Sequence, residues 1–134
     1  MANSAFTLTS SVGTDGKSMR ANKFQASHGF SAGSVIRYVQ KADGVTGNFA
    51  LAQADGGVTA EAVGIVESVD AAGNEFTVIY GGEINTANFI SVNSTLGVTG
   101  SDVWFLDPGV SGGLTAFAPT NGGNVVKPII TLVS

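Results

Sequence analysis

No helical rhythm runs through this chain. Apolar residues spaced by three and four never persist for three turns; instead, strand-sized apolar runs recur roughly every 10 to 15 residues and are closed by turn-forming residues. Runs of that length bury themselves by pairing side by side, so the pattern requires an all-β fold. Glycine supplies much of the punctuation: it is 19 of 134 residues, about twice its usual share of roughly 7%.

The individual strands follow from that pattern. Val35, Ile36, Tyr38 and Val39 form a β-branched and aromatic run that ends before Asp43-Gly44. A shorter piece covers 49–52 and stops at Asp55-Gly56-Gly57. Residues 62–69 and 75–80 are predicted to form an antiparallel hairpin through the loop Asp70-Ala71-Ala72-Gly73-Asn74. Phe76, Val78 and Tyr80 share one face of its second strand, and Thr77 and Ile79 share the other. Gly81-Gly82 is predicted to end that strand. Residues 84–96 are open between a strand and one helical turn. Three final strands lie in 103–106, 114–120 and 124–130. The prediction is a small antiparallel β-barrel or sandwich over 29–134.

An internal echo runs through this body. Phe30–Tyr38 aligns with Val98–Leu106, 49–54 with 114–119, and 62–66 with 126–130. Each half then reads as a small-residue turn, a strand, a short second strand and a third strand, the pattern expected of two β-units closing one barrel.

Residues 1–28 read differently. Phe6 and Leu8 alternate in a Ser/Thr-rich stretch, Gly13-Thr14-Asp15-Gly16 is a turn, and the remainder is polar. The expectation is an extended N-terminal arm, suited to adding a strand to a partner's sheet edge. The charge distribution agrees. Lys17, Arg20, Lys23, Arg37 and Lys41 precede position 42 with only Asp15 against them, so residues 1–41 carry +4. Lys127 against nine carboxylates leaves residues 42–134 at −8 and the chain at −4. A basic arm on an acidic body fits an acidic partner or a neighbouring copy. Four net charges without a dense Lys/Arg run make a poor footprint for nucleic acid.

Catalytic and metal chemistries find few residues. Cysteine is absent, and His28 is the single histidine, in a polar stretch where a solvated side chain is expected. No serine has the flanking glycines of a nucleophile elbow, and the Gly-Gly pairs lack a following lysine for phosphate. Asp70, Asn74 and Glu75 surround one hairpin loop and could hold a hard cation, but Asp and Asn belong in such a turn for backbone reasons alone. The chain is therefore expected to be no enzyme and to need no metal or cofactor. No basic leader followed by an apolar run opens the sequence, and no apolar stretch approaches the roughly 20 residues of a membrane helix. A cytoplasmic product without a membrane partner is expected.

Charged residues are 12% of the chain, against roughly 25% in an average soluble domain, and the mean hydropathy is +0.28. That balance suits a surface partly covered by neighbours. Trp104 and Phe105 are adjacent in a strand and point to opposite faces. One belongs to a core, and the other to a subunit interface or to an exposed platform for a sugar ring, with Tyr80 as a second stacking candidate.

The C-terminal segment runs Asp102-Val103-Trp104-Phe105-Leu106-Asp107-Pro108-Gly109, then Gly112-Gly113-Leu114-Thr115-Ala116-Phe117-Ala118-Pro119, then Asn124-Val125-Val126-Lys127-Pro128-Ile129-Ile130. It resembles a segment of bacteriophage virion structural proteins. With its size, β-content and absence of cysteine, the chain resembles the small capsid decoration, or cement, proteins. That resemblance implies a homotrimer on the outer capsid of the virion, made in the host cytoplasm, binding the major capsid protein and stabilising the shell. The arm residues Phe6, Leu8, Lys17, Arg20 and Lys23 would then contact the capsid. The alternative is a phage fibre module or a carbohydrate-binding β-module. A fibre module is expected beside a fibrous repeat, and this sequence shows none.

Overall fold

The computed structural model describes residues 6–9, 18–39, 48–85 and 103–133. They hold nine strands and no helix: β1 Phe6–Thr9, β2 Ser18–Phe24, β3 Val35–Tyr38, β4 Phe49–Leu51, β5 Ala62–Val69, β6 Glu75–Asn85, β7 Val103–Leu106, β8 Leu114–Thr115 and β9 Pro128–Val133. The all-β class is as expected from the punctuation of the sequence.

Two antiparallel sheets result, β4-β3-β5-β6-β2 and β9-β7-β8, and β1 joins them by pairing parallel with both β6 and β9. The strand path ends at β4 and β8 without returning on itself, so the described residues form no closed barrel. These end strands are three and two residues long, too short for a ladder of their own. Near them, irregular backbone bonds run between the two units: the N–H of Val35 in β3 donates to the carbonyl of Gly112, just before β8, at 3.0 Å, and the Gly112 N–H donates to the carbonyl of Ala52, just after β4, at 2.7 Å.

The internal echo has a structural counterpart. β3 lies between the short β4 and the long β5, and β7 between the short β8 and the long β9. Val35, Ile36 and Arg37 oppose Ile65, Gly64 and Ala62, with a bulge between Ile36 and Arg37. Val103, Trp104 and Phe105 oppose Thr131, Ile130 and Pro128, with a bulge between Trp104 and Phe105. The third strands therefore correspond two residues later than the sequence alignment placed them, Ile65 with Thr131.

The two units stack head to tail. Val35, Ile65 and Ile79 of the first sheet meet Trp104, Leu106, Leu114, Ile129 and Ile130 of the second in one core. Ile36 and Phe49 correspond to Trp104 and Leu114, yet they point into a separate cluster with Phe30, Val66, Phe76 and Val78. The centre of the first sheet, around Val35, Ile36, Ile65 and Val66, is thus buried on both faces, which is why β3 and β5 read as apolar runs. Phe76 anchors the second cluster, edge-on to Phe30 at 5.2 Å and to Phe49 at 5.6 Å.

Two expectations are corrected here. Gly81-Gly82 does not end β6, which runs to Asn85. Gly82 opposes both Phe6 of β1 and Ser18 of β2, and its φ of 110° is a backbone conformation that favours glycine. The structure also places residues 18–28 otherwise than in an extended arm. β2 pairs with β6 from Ser18↔Gly82 to Phe24↔Glu75, and Gln25 and His28 continue onto the hairpin loop through N–H bonds to the carbonyls of Asn74 and Gly73.

Candidate functional site

β2 is an edge strand. β6 is its only ladder partner among the described residues, and β6 carries β5 on its other flank. Successive side chains alternate across β2. Arg20, Asn22 and Phe24 share the face of Thr77 and Ile79, whereas Ala21 and Lys23 oppose Val78 and Phe76 on the aromatic face. Phe24 and Met19 are each 71% exposed. A large apolar side chain near each end of an edge that no other described strand covers is the marked feature of this surface.

Polar contacts fix the rest of the edge. The Arg20 guanidinium meets the Glu67 carboxylate at 3.1 Å, a pair open to solvent and screened by it. Glu67 occupies the bulge between Val66 and Ser68, which lets it reach across β6 to β2. The Asn22 amide donates to Glu75 Oε1 at 3.2 Å. Beside them, Asn22, Ser68, Asp70, Glu75 and Thr77 line an open groove of about 230 Å³.

The hairpin loop at the end of this groove is a turn organised by one carboxylate. Asp70 Oδ1 accepts the N–H groups of Asn74 at 2.9 Å and Glu75 at 3.1 Å, while Gly73 takes a φ of 76°. The Glu75 N–H, helped by those of Asn74 and Gly73, outweighs desolvation and holds the Asp70 carboxyl below the usual carboxylate range. Asn74 Oδ1 accepts the Ser27 N–H at 3.0 Å, and Glu75 Oε1 is the acceptor for Asn22. The three side chains considered for a cation thus each accept protein N–H groups. The described residues contain no group of three or more His, Asp or Glu placed to hold a metal ion.

His28 is packed rather than solvated. Its ring stacks on Phe30 at 5.1 Å and meets the edge of Phe76 at 5.2 Å. Nδ1 accepts the Phe30 N–H at 2.8 Å, so the hydrogen is on Nε2, which donates to the Glu75 carbonyl at 3.3 Å. Gln25 was not singled out by sequence. Its amide closes a ring with the backbone of Phe49, accepting the N–H at 2.6 Å and donating to the carbonyl at 3.0 Å, and so takes the place of a pairing strand beside β4. No sequence signal marks it, because the partner is backbone.

The remaining sequence candidates separate. Trp104 is 1% exposed and fills the core between the sheets, so it offers neither a stacking platform nor an interface; its Nε1–H has no partner among the described residues. Of the adjacent pair, Phe105 is the one facing outward, and it is partly buried. Tyr80 is also partly buried against the aromatic cluster. Desolvation and then a hydrogen bond with Tyr38 push its phenol up to about 12. Lys23 is partly buried on β2. Phe6 and Leu8 lie in β1, where only the backbone is described, and Lys17 lies outside the described residues. Of the sequence candidates, Arg20 and Lys23 lie on the same strand but on its opposite faces, and Trp104 lies away from them in the core.

No family model, no curated protein and no solved structure matches this chain.

Proposed function

We propose that this protein is a structural assembly protein of the phage capsid-decorating kind, a homotrimer that seats on major capsid protein at the virion surface and stabilises the shell. The observation that carries an assembly role is the solvent exposure of Met19, Phe24 and Phe117, the last at 77%, on a chain with only 12% charged residues. The capsid as the place of assembly rests on the resemblance of the segment from Asp102 onward. In this reading the two sheets are a sandwich-type body, and the basic leading segment, with Lys17, Arg20 and Lys23, guides encounter with an acidic partner. A carbohydrate-binding role loses support, because Trp104 is in the core.

The test is co-sedimentation with shells assembled from the major capsid protein encoded in the same genome, together with light scattering of the free protein. Saturable binding and a higher shell melting temperature are expected. A protein that stays in the supernatant at saturating concentration, and scatters as a monomer, would overturn the proposal.

A further inference from the structure

β1 is held entirely by distant chain. Phe6 to Thr9 oppose Gly82 to Asn85 on one side and Ile130 to Val133 on the other, both in parallel. No other ladder joins the two described sheets. The sheets nevertheless meet without β1, since Val35, Ile65 and Ile79 share a core with Trp104, Leu106 and Ile130. The body therefore frames a slot with two parallel edges, one from β6 and one from β9, shaped for a four-residue strand.

The chain path leaves open which molecule fills that slot. Gly82 opposes Phe6 and Ser18 at once, so β1 and β2 flank β6 on opposite sides. Those flanks are about 10 Å apart, two strand spacings. The eight residues between Thr9 and Ser18 can span up to about 30 Å when extended. The connection is thus longer than the path within its own molecule requires. It leads directly into β2, whose Met19 and Phe24 stand 71% exposed at the two ends of the strand. A neighbour covering those side chains brings its own slot within range of the incoming β1.

We propose that the slot between β6 and β9 accepts the Phe6–Thr9 strand of a second copy of this chain, so that neighbouring copies exchange β1. The inference rests on the assembly reading above and names the contact that would close the oligomer. Exchange preserves every backbone hydrogen bond of β1, so its cost is confined to association and is offset by burial of Met19 and Phe24.

The absence of cysteine makes a clean test available. Thr7 opposes Thr131 across the β1–β9 ladder. Full-length Thr7→Cys and Thr131→Cys proteins, one of them isotopically labelled, are unfolded, mixed, refolded and treated with a short bismaleimide. A labelled–unlabelled covalent heterodimer is expected on a denaturing gel and by mass. The pair Leu8→Cys and Ile84→Cys reports the β6 side of the slot and guards against a variant that fails to fold. Absence of heterodimer for both pairs, whether or not the corresponding double variants cross-link within one chain, overturns the exchange. Light scattering of the unmodified protein separates the two ideas. A trimer without heterodimer rejects exchange and keeps the assembly reading, whereas cross-linked copies that ignore capsid shells keep exchange and reject the capsid role.

Discussion

Gly64 shows how tightly single residues set this fold. A Cβ built there would lie 2.6 Å from a Val78 methyl and 2.8 Å from the Ile79 carbonyl oxygen. The carbonyl belongs to a strand with partners on both flanks and has nowhere to go. Gly64→Ala is expected to destabilise the protein by about 1–3 kcal/mol, read as a lower denaturation midpoint at unchanged slope. Tyr80 offers a second check at this scale. Its raised phenol favours the neutral form, so the associated stability is complete below about pH 10 and is lost as pH rises through about 12. An ultraviolet phenolate titration should find Tyr80 ionising at about pH 12, and Tyr38→Phe should move that ionisation to lower pH. Neither residue was legible from its neighbours. Gly64 interrupts an otherwise apolar strand without turn chemistry, and the Tyr38–Tyr80 contact depends on pairings between elements far apart in sequence.

Among the elements, legibility followed the number of buried faces. β3, β5 and the first part of β6 are buried on both sides and were visible as apolar runs. β2 leaves no such mark, because the large apolar residues of Ser-Met-Arg-Ala-Asn-Lys-Phe point outward and its stability comes from pairing with β6. Parallel β1 looks like part of an arm in the sequence because its partners are remote. The hairpin loop, in contrast, was written in turn chemistry. Asp70 carries a depressed ionisation, so its contribution is present above about pH 4 and is lost as pH falls through the lowered value. Asp70→Asn should reduce the melting temperature near neutral pH and flatten its fall on acidification. Deleting residues 1–14 removes β1 and is expected to lower the melting temperature by about 5 °C or more, given roughly 4 °C per kcal/mol at this size. An unchanged transition would show that β1 contributes nothing to the body.

At the scale of the whole molecule, the head-to-tail stacking of two similar units means that opposite faces of the repeat meet in the core. The echo in the sequence revealed the units but not their stacking, because equivalent positions such as Ile36 and Trp104 are equally apolar while pointing into different clusters. Association belongs to this scale as well. Met19→Ser with Phe24→Ser should leave the monomer's circular dichroism and melting intact while shifting light scattering toward the single-chain mass. Added salt should affect this contact little, since its Arg20–Glu67 pair is internal to one chain.

β1 also fixes an order of events during synthesis. Residues 6–9 are translated well before one of their two edges, β9, which comprises residues 128–133. On the ribosome, the β3–β5–β6 meander can form while the first strand still has only half of its seat. The seat of β1 is therefore complete only once β9 has been made. Until then β1 has one unpaired edge, and under the exchange proposed above the β9 of a neighbouring copy competes with its own to cover it.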